Sequence, residues 1–168
     1  NTVPSLKCTT CPSGWTQHDI GQSFCNDPGG IKPENCGDNE YWIVNKDNSN
    51  GPGCLPCPTG GSCVGPITMD GVRNLFGWWE LPFAGETKEF ANCLYPPACL
   101  GAPNKMFENQ FPKDEKGIDL ATIDSPLNST CSIKLGHRNH SRLCQTCASG
   151  YSRTSQSTCV TCNGGDNS

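Results

Sequence analysis

The sequence predicts a small disulfide-rich fold with short β-hairpins, long loops and little helix. Three observations predict it. Fourteen cysteines stand in 168 residues. Leu, Ile, Val and Phe together number only 28, too few for the apolar core that a chain of this size normally builds. Nineteen Gly and fourteen Pro oppose long helices and central strands. Held by burial alone, such a chain would lean toward disorder. Cross-links supply the missing constraint. Each removes entropy from the unfolded chain and stabilises the fold by about 2–4 kcal/mol. Small extracellular modules use this device where burial is weak. The even cysteine count agrees with complete pairing into seven bridges. The expected location is extracellular, secreted or at the cell surface, because the cytosol would keep these thiols reduced.

The cysteines divide the chain into three regions. Residues 1–57 hold Cys8, Cys11, Cys25, Cys36 and Cys54, with Cys57 closing the region as part of a junction pair. Residues 58–130 hold Cys63, Cys93 and Cys99, followed by a long cysteine-free stretch. Residues 131–168 are the densest, with Cys131, Cys144, Cys147, Cys159 and Cys162. Four Cys-x-x-Cys pairs occur, and three precede a similar turn: Cys11-Pro-Ser-Gly-Trp15, Cys57-Pro-Thr-Gly-Gly61 and Cys147-Ala-Ser-Gly-Tyr151. This reads as a degenerate internal repeat. The Gly permits a turn that other residues resist, and the following aromatic can lie over a bridge.

Regular structure is expected to be sparse. Tyr41–Val44, Ser132–Leu135 and Thr158–Thr161 read as short strands. Lys105–Phe111 and Gly117–Ile123 each have room for one or two helical turns. Asp47–Gly53 is a turn or loop, and Gly164–Ser168 a tail or linker.

A net charge of −4 without a basic patch argues against nucleic acid as a partner. No apolar run approaches the roughly 20 residues needed to span a bilayer. Asn1 reads as a processed terminus or the edge of a fragment, and an anchor beyond either end stays open.

The segment Cys131-Ser-Ile-Lys-Leu-Gly-His-Arg-Asn-His-Ser-Arg-Leu-Cys144-Gln-Thr-Cys147-Ala-Ser-Gly-Tyr151, followed by Cys159-Val-Thr-Cys162, resembles the EGF-like and ephrin-receptor-like cysteine-rich repeats of extracellular proteins. His137 replaces the first Tyr of that pattern, and Ser141 stands near its second Gly. The middle region, with Gly77-Trp78-Trp79, Phe90, Cys93 and Ala98-Cys99-Leu-Gly101, resembles a module of cysteine-rich surface or flagellar-hair (mastigoneme-like) proteins of algae and other protists. Together the resemblances cover about half the chain and imply tandem EGF-like modules. They imply the pairs Cys131–Cys144 and Cys147–Cys159 and, by looser extension, Cys11–Cys25 and Cys57–Cys63. Cys8, Cys36, Cys54, Cys93, Cys99 and Cys162 are then also disulfide cysteines, and their partners stay open.

Other readings of the same residues are weaker. Cys144, Cys147, Cys159 and Cys162 have zinc-ribbon-like spacing, but zinc would leave ten other cysteines unexplained. A thioredoxin-type Cys-x-x-Cys requires a βαβ setting that is missing. Asn128-Ser-Thr130 and Asn139-His-Ser141 are N-glycosylation sequons, so covalent glycans are expected at Asn128 and Asn139. Hydroxyls near proline, as in Thr2-Val-Pro4-Ser5, are a further setting for glycans. Adjacent Trp78 and Trp79 point to opposite faces of an extended backbone. They either pad a thin core or anchor a partner.

The chain reads as a non-enzyme, without a catalytic residue, metal site or cofactor. His18, His137 and His140 lie in no nucleophile, zincin or phosphate-loop motif. Asp114, Glu115, Asp119 and Asp124 form an acidic stretch. Calcium would require alternating oxygen ligands in a tight loop, and no EF-hand pattern is present.

The leading expectation is a structural glycoprotein subunit of an extracellular fibril, flagellar hair, wall or matrix. It would associate head to tail with itself or with other extracellular proteins. The alternatives are a ligand-binding receptor ectodomain and a secreted effector or inhibitor. Gly101–Thr130 is the natural contact loop for an effector or a polymer.

Overall fold

The computed structural model describes residues 34, 36–43, 53–65, 67–82, 87–125 and 128–162. Among them there is no α-helix, and ten short strands form five separate two-stranded antiparallel ribbons. This is the small disulfide-rich class that the composition predicts. With so few large aliphatic residues, no wide sheet has a second layer to pack against.

The first ribbon pairs β1 (Glu40–Ile43) with β2 (Gly53–Pro56), with Trp42 opposite Cys54. The aromatic run Tyr41-Trp42 favours an extended backbone, and alternation sends Tyr41 inward, where it is buried. The other edge of β1 is also occupied. Trp42 N–H donates to Ile67 O at 2.9 Å, and Asn39 bridges Cys63. The ladder of residues 39–43 therefore crosses the sequence boundary at 57.

β3 (Gly61–Ser62) pairs with β4 (Arg73–Asn74), and β5 (Trp78–Glu80) with β6 (Phe90–Asn92). β7 (Cys99–Leu100) then pairs with β8 (Thr130–Cys131), setting Cys99 opposite Cys131. This ladder runs through the sequence boundary at 130. The last ribbon is the hairpin of β9 (Tyr151–Arg153) and β10 (Cys159–Thr161).

Two small cores result. One gathers Tyr41, Cys63 and Val72, flanked by Ile43, Cys57, Ile67, Met69 and Phe90. The other gathers Trp79, Ala98, Cys93, Cys99, Cys131 and Cys144. Four of its six buried members are cysteines, so sulfur does the work that Leu and Ile do elsewhere. An aromatic chain runs beside it, from Phe107 to Phe76 (6.2 Å), Phe76 to Phe111 (6.2 Å), Phe111 to Tyr95 (6.4 Å) and Tyr95 to His137 (6.1 Å).

The helical expectations shrink to single 3₁₀ turns at Lys105–Phe107 and Leu120–Thr122. The expected strand over Ser132–Leu135 is corrected. Ile133–Leu135 is also a 3₁₀ turn, closed by Gly136 in the left-handed region. Its alternating Ile133 and Leu135 mimic a strand, yet Ile133 is 63% exposed. The turn is required because the chain must reverse to bring His137 opposite Cys147. Residues 47–52 of the expected loop and the tail 164–168 lie outside the described residues.

Candidate functional site

The chemistry of this molecule is concentrated in its bridges and in the face that carries the two sequons. Five disulfides join Cys36 to Cys54, Cys57 to Cys63, Cys93 to Cys99, Cys131 to Cys144 and Cys147 to Cys159. All are local, closing 6 to 18 residues of chain. Cys57–Cys63, Cys131–Cys144 and Cys147–Cys159 join cysteines that the module resemblance pairs. Cys36–Cys54 and Cys93–Cys99 come from the set with open partners. Cys8 and the Cys11–Cys25 pair lie outside the described residues.

Expected in a bridge, Cys162 is exposed and forms none with another described cysteine. The other ten described cysteines are already paired with one another, so no described sulfur remains for it. It lies just beyond β10, where its N–H donates to Gly150 O at 2.8 Å.

Two of the three similar turns fall among the described residues, and both have the same construction. Gly61 N–H donates to Pro58 O at 2.8 Å, and Tyr151 N–H to Ala148 O at 3.1 Å. The third residue of each turn has positive φ, +83° at Gly60 and +85° at Gly150. This is the type II requirement for glycine. Each turn follows the first sulfur of a bridge, Cys57–Cys63 or Cys147–Cys159. The aromatic of the second turn does not simply roof its own bridge. The Tyr151 ring lies on Gly136, where an added Cβ would stand 2.2 Å from it.

The tryptophans divide their work. Trp79 is buried against Cys93, Cys99, Cys131 and Cys144, so it covers two bridges. Trp78 is half-buried, its indole lying where a Cβ on Gly60 would be. Trp79 is therefore committed to internal packing, while Trp78 packs on Gly60 and keeps part of its surface exposed.

The sequons sit in different settings. Asn128 is half-buried and its Nδ2 donates to Glu80 Oε2 at 2.8 Å, while its Oδ1 is buried without a partner. Asn139 turns its Oδ1 inward to accept from Cys131 N–H (3.3 Å) and His140 N–H (3.0 Å). The Asn128 and His140 side chains line the rim of one open recess beside Trp79.

His137 is buried and its Nδ1 lies 2.8 Å from Cys144 O and 3.5 Å from Cys159 Sγ. The carbonyl fixes the hydrogen on Nδ1, which leaves Nε2 buried without a partner. Burial pushes its pKa down from the ordinary imidazole value. The Cys144 carbonyl opposes this, and nearby Arg153 adds to it. His140 is exposed, and His18 lies outside the described residues.

The carboxylates of the acidic stretch are largely engaged. Asp114 Oδ1 accepts from Lys116 and Ile118 N–H, and Asp119 accepts from Ala121 and Asn109 N–H. Asp124 pairs with Arg73 at 2.8 Å. No group of three or more His, Cys, Asp or Glu placed to hold a metal occurs among the described residues. Cys144, Cys147 and Cys159 are in bridges, so they are not thiolates for zinc. No described helix is long and apolar enough to cross a membrane.

The cysteine-free stretch forms one wall of a cleft of about 170 Å³. Pro112, Lys113 and Leu120 face Tyr95, Lys134 and Leu135 across it.

Sequence reasoning missed two buried asparagines. Asn74 Nδ2 donates to Trp78 O and Leu100 O, both at 2.8 Å, and its Oδ1 accepts from Ser129 N–H at 3.0 Å. Asn104 donates to Phe76 O at 2.8 Å and caps the turn at Met106 N–H. The position of Asn104 just before Lys-Met-Phe carries a capping signal. Nothing in the sequence marks Asn74. Comparison with protein-family models, curated proteins and solved structures finds no match to this chain.

Proposed function

We propose that this chain is a glycosylated structural subunit of an extracellular assembly, built from EGF-like modules that associate head to tail. The observation that carries the reading is the spacing of the bridges. Every described disulfide closes a loop of 18 residues or fewer, and the ribbons between them share ladders across positions 57 and 130. Such a body is cross-linked at intervals, within 36–63, 93–99 and 131–159, and it resists unfolding without a large apolar core. Five two-stranded ribbons also leave strand edges that another copy can meet. Asymmetric contacts of this kind build filaments when the rotation does not close.

The many disulfides are typical of extracellular proteins, which supports secretion or display at a cell surface. Electron microscopy of native material tests the assembly. Regular fibres or polymers are expected, and separate small particles would contradict the reading.

A second reading, a ligand-binding ectodomain, draws on the cleft between Tyr95 and Pro112–Glu115. It predicts a monomer or dimer when released, with a membrane span elsewhere in a longer chain.

A further inference from the structure

We infer that only one of the two sequons carries a glycan, Asn139, and that Asn128 serves the fold instead. The inference rests on the extracellular reading above and deepens it.

The two side chains are oriented oppositely. The Asn139 oxygen is held by two backbone donors, Cys131 N–H and His140 N–H. Its Nδ2 makes no hydrogen bond to another described residue. It stands in a loop with Arg138 and His140 exposed on either side. The bridge Cys131–Cys144 closes that loop, and Ser141 Oγ pins it by donating to Arg138 O at 2.9 Å. A sugar on Nδ2 would leave every one of these bonds in place.

Asn128 offers the reverse. Its Nδ2 is the group in use, donating to Glu80 Oε2 at 2.8 Å, and its oxygen is sealed from solvent. Glu80 is also held by Lys88 Nζ at 3.3 Å. The neighbouring residue is tied in twice, since Ser129 Oγ accepts from Glu80 N–H and Ser129 N–H donates to Asn74 Oδ1. A sugar on Asn128 would replace one of the two Nδ2 hydrogens beside the Glu80 carboxylate and crowd that contact, at the lip of the sulfur-rich core. A glycan added before folding must leave the fold possible, and this position accommodates one far less readily than Asn139.

The modification balances without a redox partner. Asn139 Nδ2 attacks the anomeric carbon of a sugar carrying a diphosphate leaving group. An N–C bond forms and the C–O bond to the diphosphate breaks. The diphosphate leaves with the electron pair, and Nδ2 gives up one proton.

The test is peptide mapping of the native protein after enzymatic deglycosylation in heavy-oxygen water, which turns an occupied Asn into labelled Asp. Label at Asn139 alone is expected. Label at Asn128, or at neither position, overturns the inference. If neither is labelled but the bridges are intact, the extracellular reading survives its loss. If the thiols are also free, both fall. Asn139→Gln and Ser141→Ala should each remove the whole N-linked glycan mass, the second while keeping the Asn139 side chain. Thr130→Ala should leave that mass unchanged, and its loss there would contradict the assignment.

Discussion

Two neighbouring stretches of this chain are held by different physics. From Cys131 to Cys159, two bridges enclose a run of turns around His137. From Gly101 to Thr130 there is no cysteine. Order there comes from Asn104, Asp119 and the tilted ring pair Phe107 and Phe111. The comparison separates two ways to fix a loop. A disulfide acts chiefly on the unfolded chain and tolerates loose contacts in the folded one. Capping side chains act only in the folded state, and each backbone donor or acceptor they leave unpaired has a cost of its own.

The largest expected effect breaks the first stretch. Cys131→Ala with Cys144→Ala should cost about 2–5 kcal/mol, read from denaturant unfolding without reductant. Hydrogen exchange should accelerate most over 131–162. Equal acceleration over 101–125 would erase the distinction between the stretches.

Next comes Asn104→Ala in the second stretch. It strands Phe76 O and Met106 N–H, at about 1–3 kcal/mol each when buried. The loss should persist in a protein whose bridges are all intact. A change below about 0.5 kcal/mol would fall to the level of ordinary surface substitutions and would show that water replaces the side chain freely.

The third sharpens the bridged stretch through pH. Burial lowers the His137 pKa in the folded protein, so the unfolded chain takes up the proton more readily. Stability from this residue is complete above the unfolded value, about 6.5, and is lost as the pH falls below it. Melting temperature should therefore rise with pH through the mildly acidic range. His137→Asn, which can keep the bond to the Cys144 carbonyl, should flatten that rise. An unchanged slope in the variant would remove His137 from the account.

The smallest effect is Asp119→Asn, which keeps an oxygen for Ala121 N–H but turns the atom facing Asn109 N–H into a donor, so that bond is lost. A loss of about 0.5–1 kcal/mol is expected for one lost bond at a turn whose cap is kept. Retention of the Leu120–Thr122 turn by NMR would accompany it.

These differences also mark how far the sequence could be read. The short strands at Tyr41 and Thr158 announce themselves through β-branched and aromatic residues beside turn formers. The type II turns at Gly60 and Gly150 follow from their Ser/Thr-Gly spacing. Ser132–Leu135 misleads because alternation alone cannot distinguish a strand from a turn whose Ile133 faces water. The β7–β8 ladder is illegible because each strand is two residues long and its partner lies across the cysteine-free stretch. Asn74 looks like any polar residue before a hydrophobic run. Its importance arises only when β5, β7 and Ser129 converge on it. The two sequons look equivalent as motifs and differ only in what their amide atoms touch.

The claim beneath all of this is that local sulfur–sulfur bonds, not a broad apolar interior, hold the chain. Peptide mapping of the native protein without reduction, after blocking any free thiols, tests it most directly. The account predicts linked peptides for Cys36–Cys54, Cys57–Cys63, Cys93–Cys99, Cys131–Cys144 and Cys147–Cys159. Blocked, unlinked cysteines at these positions, in a protein that is nonetheless folded, would contradict it.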